Sequence, residues 1–79
     1  MKELIETIVK PLVEFPEDVR VEVVDEKNSI TYKLSVNKND IGKVIGKQGR
    51  VAKAIRTVVY AAAAAREGES KKVYVDIVD

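Results

Sequence analysis

Apolar positions recur with a helical period at the start of the chain. Leu4, Ile5, Ile8, Val9, Leu12 and Val13 fall at i, i+1, i+4, i+5, i+8 and i+9, a single stripe on one side of an amphipathic helix. Pro11 interrupts it, because proline has no amide hydrogen and its ring collides with the preceding turn. The helix is expected to kink or restart near Lys10 and to end at Phe15-Pro16. The period then changes to two. Val19-Arg20-Val21-Glu22-Val23 and Ile30-Thr31-Tyr32-Lys33-Leu34-Ser35-Val36 alternate strictly around the polar run Asp25-Glu26-Lys27-Asn28-Ser29, which predicts a β-hairpin with one wet face. Ile41 to Ile45 suits a short helix that Asn39 or Asp40 is placed to cap, and a longer helix follows from about Arg50 to Arg66 with Gly68 as its stop. Val73-Tyr74-Val75-Asp76-Ile77 alternates again as a third strand. The order α-β-β-α-α-β predicts an α+β fold in which helices cover one face of a three-stranded sheet.

Within the long helix, Val51, Ile55, Val58, Val59 and Ala62 share the stripe assigned to the core, while Arg50, Lys53, Thr57 and Tyr60 lie round the other side. Ala61 to Ala65 join high helix propensity to minimal bulk. They are expected to let the helix approach another element closely, either within the chain or across a homodimer face.

Composition narrows the function. Seventy-nine residues make one domain, 1–79, and a chain this short buries only about 60 to 65 per cent of its unfolded surface, leaving little room for a deep catalytic pocket. Cysteine and histidine are both missing, which removes disulfides, thiol nucleophiles, imidazole bases and the usual zinc ligands. Neither an enzyme nor a cofactor or metal is expected. Met1 to Glu6 mixes acids into its apolar positions and lacks a signal-peptide core, and the run Val58 to Ala65 is too short to cross a bilayer, so the expectation is a soluble, cytoplasmic chain without a membrane partner.

Charge is distributed unevenly. The net +1 conceals a segment, residues 41 to 66, with six basic and no acidic groups. Residues 1 to 40 carry six basic and nine acidic groups, and residues 67 to 79 carry two and four. The basic segment is centred on Gly46-Lys47-Gln48-Gly49, two glycines flanking a polar tip between two helical stretches. Such a loop exposes backbone and opens the second helix at its positively polarised end, an arrangement suited to phosphate. Two glycines three apart usually mark only a turn; the surrounding charge is what turns the reading toward a polyanion. Competing motifs fail on spacing. A Walker A loop needs four residues between its glycines and Ser or Thr after the lysine, whereas Gly42 and Gly46 enclose three and Gln48 follows Lys47. No G-x-G occurs for a dinucleotide, and Lys43 interrupts any apolar span around Gly42 and Gly46. The acids Glu14, Glu17, Asp18, Glu22, Asp25 and Glu26 scatter over a helix end, a strand and a turn and read as solvated surface.

The stretch Ile41-Gly42-Lys43-Val44-Ile45-Gly46-Lys47-Gln48-Gly49-Arg50-Val51-Ala52-Lys53-Ala54-Ile55 resembles the signature of the KH RNA-binding domain, in which a V-I-G-x-x-G loop joins two helices. The α-β-β-α-α-β order is similar to the type II arrangement, and Gly46 to Thr57 running into an alanine-rich helix end resembles the small bacterial single-KH proteins of the KhpA type. Ala52 departs from the pattern, since many KH domains carry a larger aliphatic residue there, and it implies a shallower groove floor. The resemblance implies binding of single-stranded RNA without chemistry, the loop clamping the backbone of about four nucleotides. Gly46 and Gly49 would admit sugar-phosphate to the main chain, Lys47 would offer charge and Gln48 amide donors. Lys43, Arg50 and Lys53 would extend a positive rim, and Ile41, Val44 and Ile45 an apolar wall for bases, although Val44 and Ile45 cannot both face it. With four aromatic residues and none in the loop, stacking is expected to be minor and sequence specificity low. The resemblance further implies a homodimer, a heteromer with a larger multidomain KH protein of the KhpB type, and RNA-chaperone or post-transcriptional work linked to cell shape and envelope homeostasis. A different class remains open at this point: a protein-interaction module whose basic loop meets an acidic partner. Single-stranded DNA is likewise open, since no residue identifies a contact to a 2′-hydroxyl.

Overall fold

The computed structural model describes residues 1–65 and 72–78. Helix α1 (Lys2–Val9) gives way near Lys10, as Pro11 predicts, to a 3-10 turn over Lys10–Leu12, and the helical path ends there, with Val13 already extended, short of the expected end at Phe15-Pro16. A second 3-10 turn, Pro16–Asp18, leads into strand β1 (Arg20–Asp25). Strand β1 pairs antiparallel with β2 (Ser29–Ser35), which sets Val21 opposite Leu34 and Val23 opposite Tyr32. Strand β3 (Lys72–Val78) lies on the other side of β2 and runs parallel to it, with Tyr32 opposite Val75. Hairpin alternation cannot disclose that parallel pairing. A parallel neighbour requires a crossover, and α2 (Ile41–Ile45) with α3 (Arg50–Ala64) supplies it. Helix α3 ends at Ala64; the expected stop at Gly68 lies outside the described residues.

The helices cover one face of the sheet, as α-β-β-α-α-β requires. Ile5 and Val9 of α1, Val44 of α2 and Ile55 and Val59 of α3 meet Val21, Tyr32, Leu34 and Val75 from the three strands, with Val19 closing the end of the cluster. The opposite face carries Arg20, Glu22, Lys33 and Asp76 in exposed positions. Val23 shares the inner face with Val21 but is 46% exposed, because edge strand β1 has a neighbour on one side only and the helices do not reach over that end.

Helix α3 turns a different stripe inward from the one its larger side chains suggest. Ala52, Ile55, Val59 and Ala63 face the sheet, while Val58, assigned to the core from its spacing, is 46% exposed. Small residues on the inner face bring the helix axis close to the sheet, and the bulkier Val51 and Val58 then stand on the flank toward α1. Of the alanine run, Ala63 is buried and Ala62 half-buried, so close approach within the chain accounts for part of it.

Candidate nucleic-acid interface

The loop between α2 and α3 is a single 3-10 turn, Lys47–Gly49, entered and left through positive φ angles. Gly46 has φ 74 and ψ 173, a region that only glycine occupies freely. A Cβ there would also collide with the side chain of Val51, lying 2.8 Å from its Cβ and from its backbone nitrogen. Gly49, at φ 75 and ψ 13, needs glycine for conformation alone, since a Cβ would meet nothing within 4 Å. Between them Gln48 is the one non-glycine residue at positive φ among those described, at φ 58 and ψ 26. The backbone turns so sharply that Lys47 and Gln48 are pushed out into solvent at the tip. The amides of Gly49 and Arg50 close the turn on the carbonyls of Gly46 and Lys47, so those two donors are engaged within the loop and not open to an anion.

Helix α2 is held by a contact that no motif signals. Asp40 stands at its N-cap position but does not cap it; its carboxylate turns inward, fully buried, and accepts the backbone N–H of Glu14 at 3.1 Å and of Phe15 at 3.0 Å. Asn39 does not cap either. Its amide donates to the Asn37 side chain, which caps the 3-10 turn Lys38–Asp40. Burial by itself pushes the Asp40 pKa up, yet the two amide donors and the adjacent Lys43 ammonium outweigh it, and the carboxyl is held below its ordinary value. Lys43 Nζ lies 3.6 Å from both Asp40 Oδ1 and Glu14 Oε2. The lysine expected to lengthen the positive rim is therefore neutralised by two acids, because the α1–β1 connection passes directly beneath α2.

The remaining expected residues separate by burial. Lys47, Arg50 and Lys53 are exposed and enter no ion pair among the described residues. Ile41 and Ile45 are half-buried, so part of each reaches the surface. Val44 has no exposed surface and belongs to the core, which corrects its placement on an open wall: α2 turns one apolar residue inward and leaves its neighbour out. Ala52 is buried in the same way, on the sheet-facing side of α3, and not on an open groove floor. Arg56 is half-buried and donates from Nε to the Val75 carbonyl at 3.1 Å, bridging α3 to the edge of β3. The sequence could have signalled Asp40 and Arg56 only as charged residues next to apolar positions.

On the other flank of α3 an apolar groove of about 350 Å³ opens between Ile8 and Leu12 on one side and Val51, Ala54, Ile55 and Val58 on the other, with Arg50 at its rim. Among the described residues there is no group of His, Cys, Asp or Glu able to hold a metal ion, and no helix is long and apolar enough to cross a membrane.

A two-helix crossover bent at a glycine loop, carried on a sheet with one antiparallel and one parallel pairing, defines a KH domain of type II. The backbone supports this independently of sequence. Solved structures of Era share the arrangement: an Aquifex aeolicus Era bound to GDP.AlF4- matches with a TM-score of 0.70 at 20% identity. Era in complex with MgGDPNP and nucleotides 1506-1542 of 16S ribosomal RNA matches with a TM-score of 0.62 at 20% identity. In each case 98% of this chain is covered and 30% of the Era chain, so the likeness concerns the fold of one part of a longer protein. At the level of sequence, the KH-domain model of KhpA/KhpB matches residues 2–77, and the chain belongs to that family. Its relatives include proteins named RNA-binding protein KhpA from Clostridium perfringens, 59% identical over 78 residues, and from Listeria monocytogenes, 54% identical over 79 residues. The first alignment covers 99% of this chain and all of the relative, and the second covers both chains completely. The family is non-enzymatic, and this chain is not an enzyme.

Proposed function

We propose that residues 1–79 act as one KH domain that binds single-stranded RNA in the cytoplasm, with the backbone at Gly46 and Gly49 and the side chains of Lys47, Gln48, Arg50 and Lys53 meeting the sugar-phosphate chain. The observation that carries this reading is the Gly46–Gly49 turn. Its φ angles push a lysine and a glutamine outward at the head of α3, beside two further cations without acidic partners among the described residues. The names of the full-length relatives point to the same ligand. Ile41 and Ile45 offer the partly exposed apolar surface on which bases would lie; Val44 and Lys43 support α2 from behind and beside it.

The test compares two charge-matched double variants. Lys47→Asp with Gln48→Asp places acids at the loop tip. Lys27→Asp with Asn28→Asp makes the same charge change in the β1–β2 turn, at the end of β2 remote from α2. The first should abolish binding of a single-stranded RNA oligonucleotide while keeping its helical circular dichroism, and the second should bind nearly as the unmodified chain does. Equal loss in both would mean diffuse attraction and an incorrect loop assignment. Retention of binding by the loop variant, with capture of acidic protein in place of RNA, would favour an interaction module instead.

A single weak site gains from multivalency. Self-association is part of the proposal, supported by the apolar groove in which Leu12 and Val58 are 43% and 46% exposed. A heteromer with a larger multidomain KH protein, and RNA-chaperone or post-transcriptional work touching cell shape and envelope homeostasis, complete it on the strength of the family resemblance.

A further inference from the structure

We propose that the free edge of β1 is a docking strand for a second copy of this chain, paired antiparallel about Val21. Strand β1 lies at one edge of the sheet, and among the described residues no strand extends the ladder beyond it. The Glu26 N–H donates to the Ser29 carbonyl at 2.8 Å and closes the hairpin with β2. Antiparallel bonding alternates along the unbroken register from Asp25↔Ile30 to Arg20↔Ser35, so Val24, Glu22 and Arg20 make the further exchanges with β2. The N–H and C=O of Val21 and Val23 therefore point away from the sheet, with no strand among the described residues to receive them. The opposite edge differs: on β3 the Val75 carbonyl already accepts from Arg56.

Edge strands normally carry a device that refuses a partner, such as proline, lysine or a bulge. Strand β1 carries none of these. It is self-complementary instead: in Val19-Arg20-Val21-Glu22-Val23 the two charges are opposite in sign and symmetric about Val21. A twofold axis at Val21 sets Val21 against the partner's Val21, Val19, extended just ahead of the strand, against the partner's Val23, and Arg20 against the partner's Glu22 twice over. Arg20 and Glu22 are exposed on the face away from the helices and enter no ion pair among the described residues. Arg20 Nη1 donates to the Glu17 and Val19 carbonyls at 2.8 and 3.3 Å, which leaves its other two nitrogens for a carboxylate. Val23, 46% exposed at the end the helices do not reach, gains an apolar neighbour. Other registers are poorer. A twofold at Glu22 opposes two carboxylates, and one at Val23 sets Val21 against Asp25 and Glu22 against Val24. One strand pair is a small contact, weak between free chains at on the order of millimolar, and it is made where chains are already held together, as neighbours on one RNA strand in the reading above. It is separate from the groove between α1 and α3 and leaves the edge of β3 free in both copies.

The test is made on the full chain without RNA, so its failure is distinct from failure of the RNA-binding reading. The chain has no cysteine of its own. Arg20→Cys and Glu22→Cys chains, mixed in equal amounts in a glutathione redox buffer, bring their two thiols together at a close, non-hydrogen-bonded pair and keep the second Arg–Glu contact. The mixed disulfide should exceed either symmetric one by about tenfold or more, where random collision gives about twofold. Charge reversal forms the second arm, read by sedimentation equilibrium at millimolar concentration in the Val58→Asp chain, which removes the contact in the groove. Arg20→Glu or Glu22→Arg alone puts like charges opposite one another and should weaken association by about 5- to 20-fold. An equimolar mixture of the two reversed chains pairs opposite signs again and should associate as the unreversed chain does, and so should one chain carrying both reversals. A purely structural effect of either substitution would not be repaired by mixing. The proposal is overturned by disulfides in the random ratio, or by a mixture that associates no better than its components. If a reversed chain loses its circular dichroism, the cysteine arm decides, since it reverses no charge.

Discussion

Two glycines in one motif perform different jobs, and their alanine variants should separate them. Gly46 combines a backbone conformation closed to other residues with a Cβ position already occupied by Val51. Gly46→Ala should lower the unfolding free energy by at least about 2 kcal/mol in urea titration, since strain and steric overlap act together. Gly49→Ala faces open space and bears only the cost of left-handed φ, about 1 to 2 kcal/mol. Gln48 bears that conformational cost already. Gln48→Gly should therefore stabilise the fold by about 0.5 to 1 kcal/mol in the same titration while binding RNA more weakly, because the amide donors at the tip are lost. Stability and binding moving in opposite directions would mark the strain at Gln48 as maintained for contact.

Helix α2 is five residues long, too short to persist by its own hydrogen bonds, so its position depends on what anchors it. Val44 anchors it to the core and Asp40 anchors its beginning to the α1–β1 connection. Only the ionised carboxyl provides two acceptor oxygens to two amides. Since the folded-state pKa of Asp40 lies below its ordinary value of 3.8, the stabilisation is present above about pH 4 and is lost as pH falls through the lowered folded value. Acid titration of the unfolding midpoint should show this loss, and Asp40→Asn should be less stable at neutral pH and show a shallower acid dependence, because an amide group cannot accept at both positions. Lys43, bound between Asp40 and Glu14, should contribute little to RNA affinity, and Lys43→Met should weaken binding less than Lys47→Met does.

Across the molecule, the two flanks of α3 differ in chemistry: one carries Lys53, Arg56 and Tyr60 along the edge of β3, the other carries Val51, Ala54 and Val58 along α1. A protein with RNA on one flank and a second copy on the other would let the two associations proceed without competition. The charges available to phosphate are fewer than the basic segment contains, since Lys43 is ion-paired and Arg56 is tied to the strand edge. Among the described residues Lys47, Arg50 and Lys53 remain, which sets the expected slope of log affinity against log salt at about −2 for a single strand. A slope of about −3.5 would show that Lys43 and Arg56 release their partners and join in. Val58→Asp, at a half-exposed site, should leave the fold intact and shift sedimentation at high micromolar concentration from dimer toward monomer.

The periodicities in the chain, 3.6 at the start and in the middle and two in the strands, were sufficient to determine which segments become helices and strands, because each local repeat must put its apolar side against something. Pro11 located the end of α1, and Gly46-x-x-Gly49 located the loop, since both act through backbone conformation close to their own position. The sequence alone also determined the family, through residues adjacent along the chain. What tertiary structure decided involves residues distant in sequence. The parallel place of β3, the inward turn of Asp40 to amides 25 and 26 residues away, and the reach of Arg56 to Val75, 19 residues away, leave no local pattern. Val58 stands outside the core for the same reason: spacing identifies a helix face, but which face meets the sheet is set by how closely Ala52 and Ala63 let the helix approach. Local backbone preference is encoded residue by residue, whereas burial and pairing are properties of the packed whole.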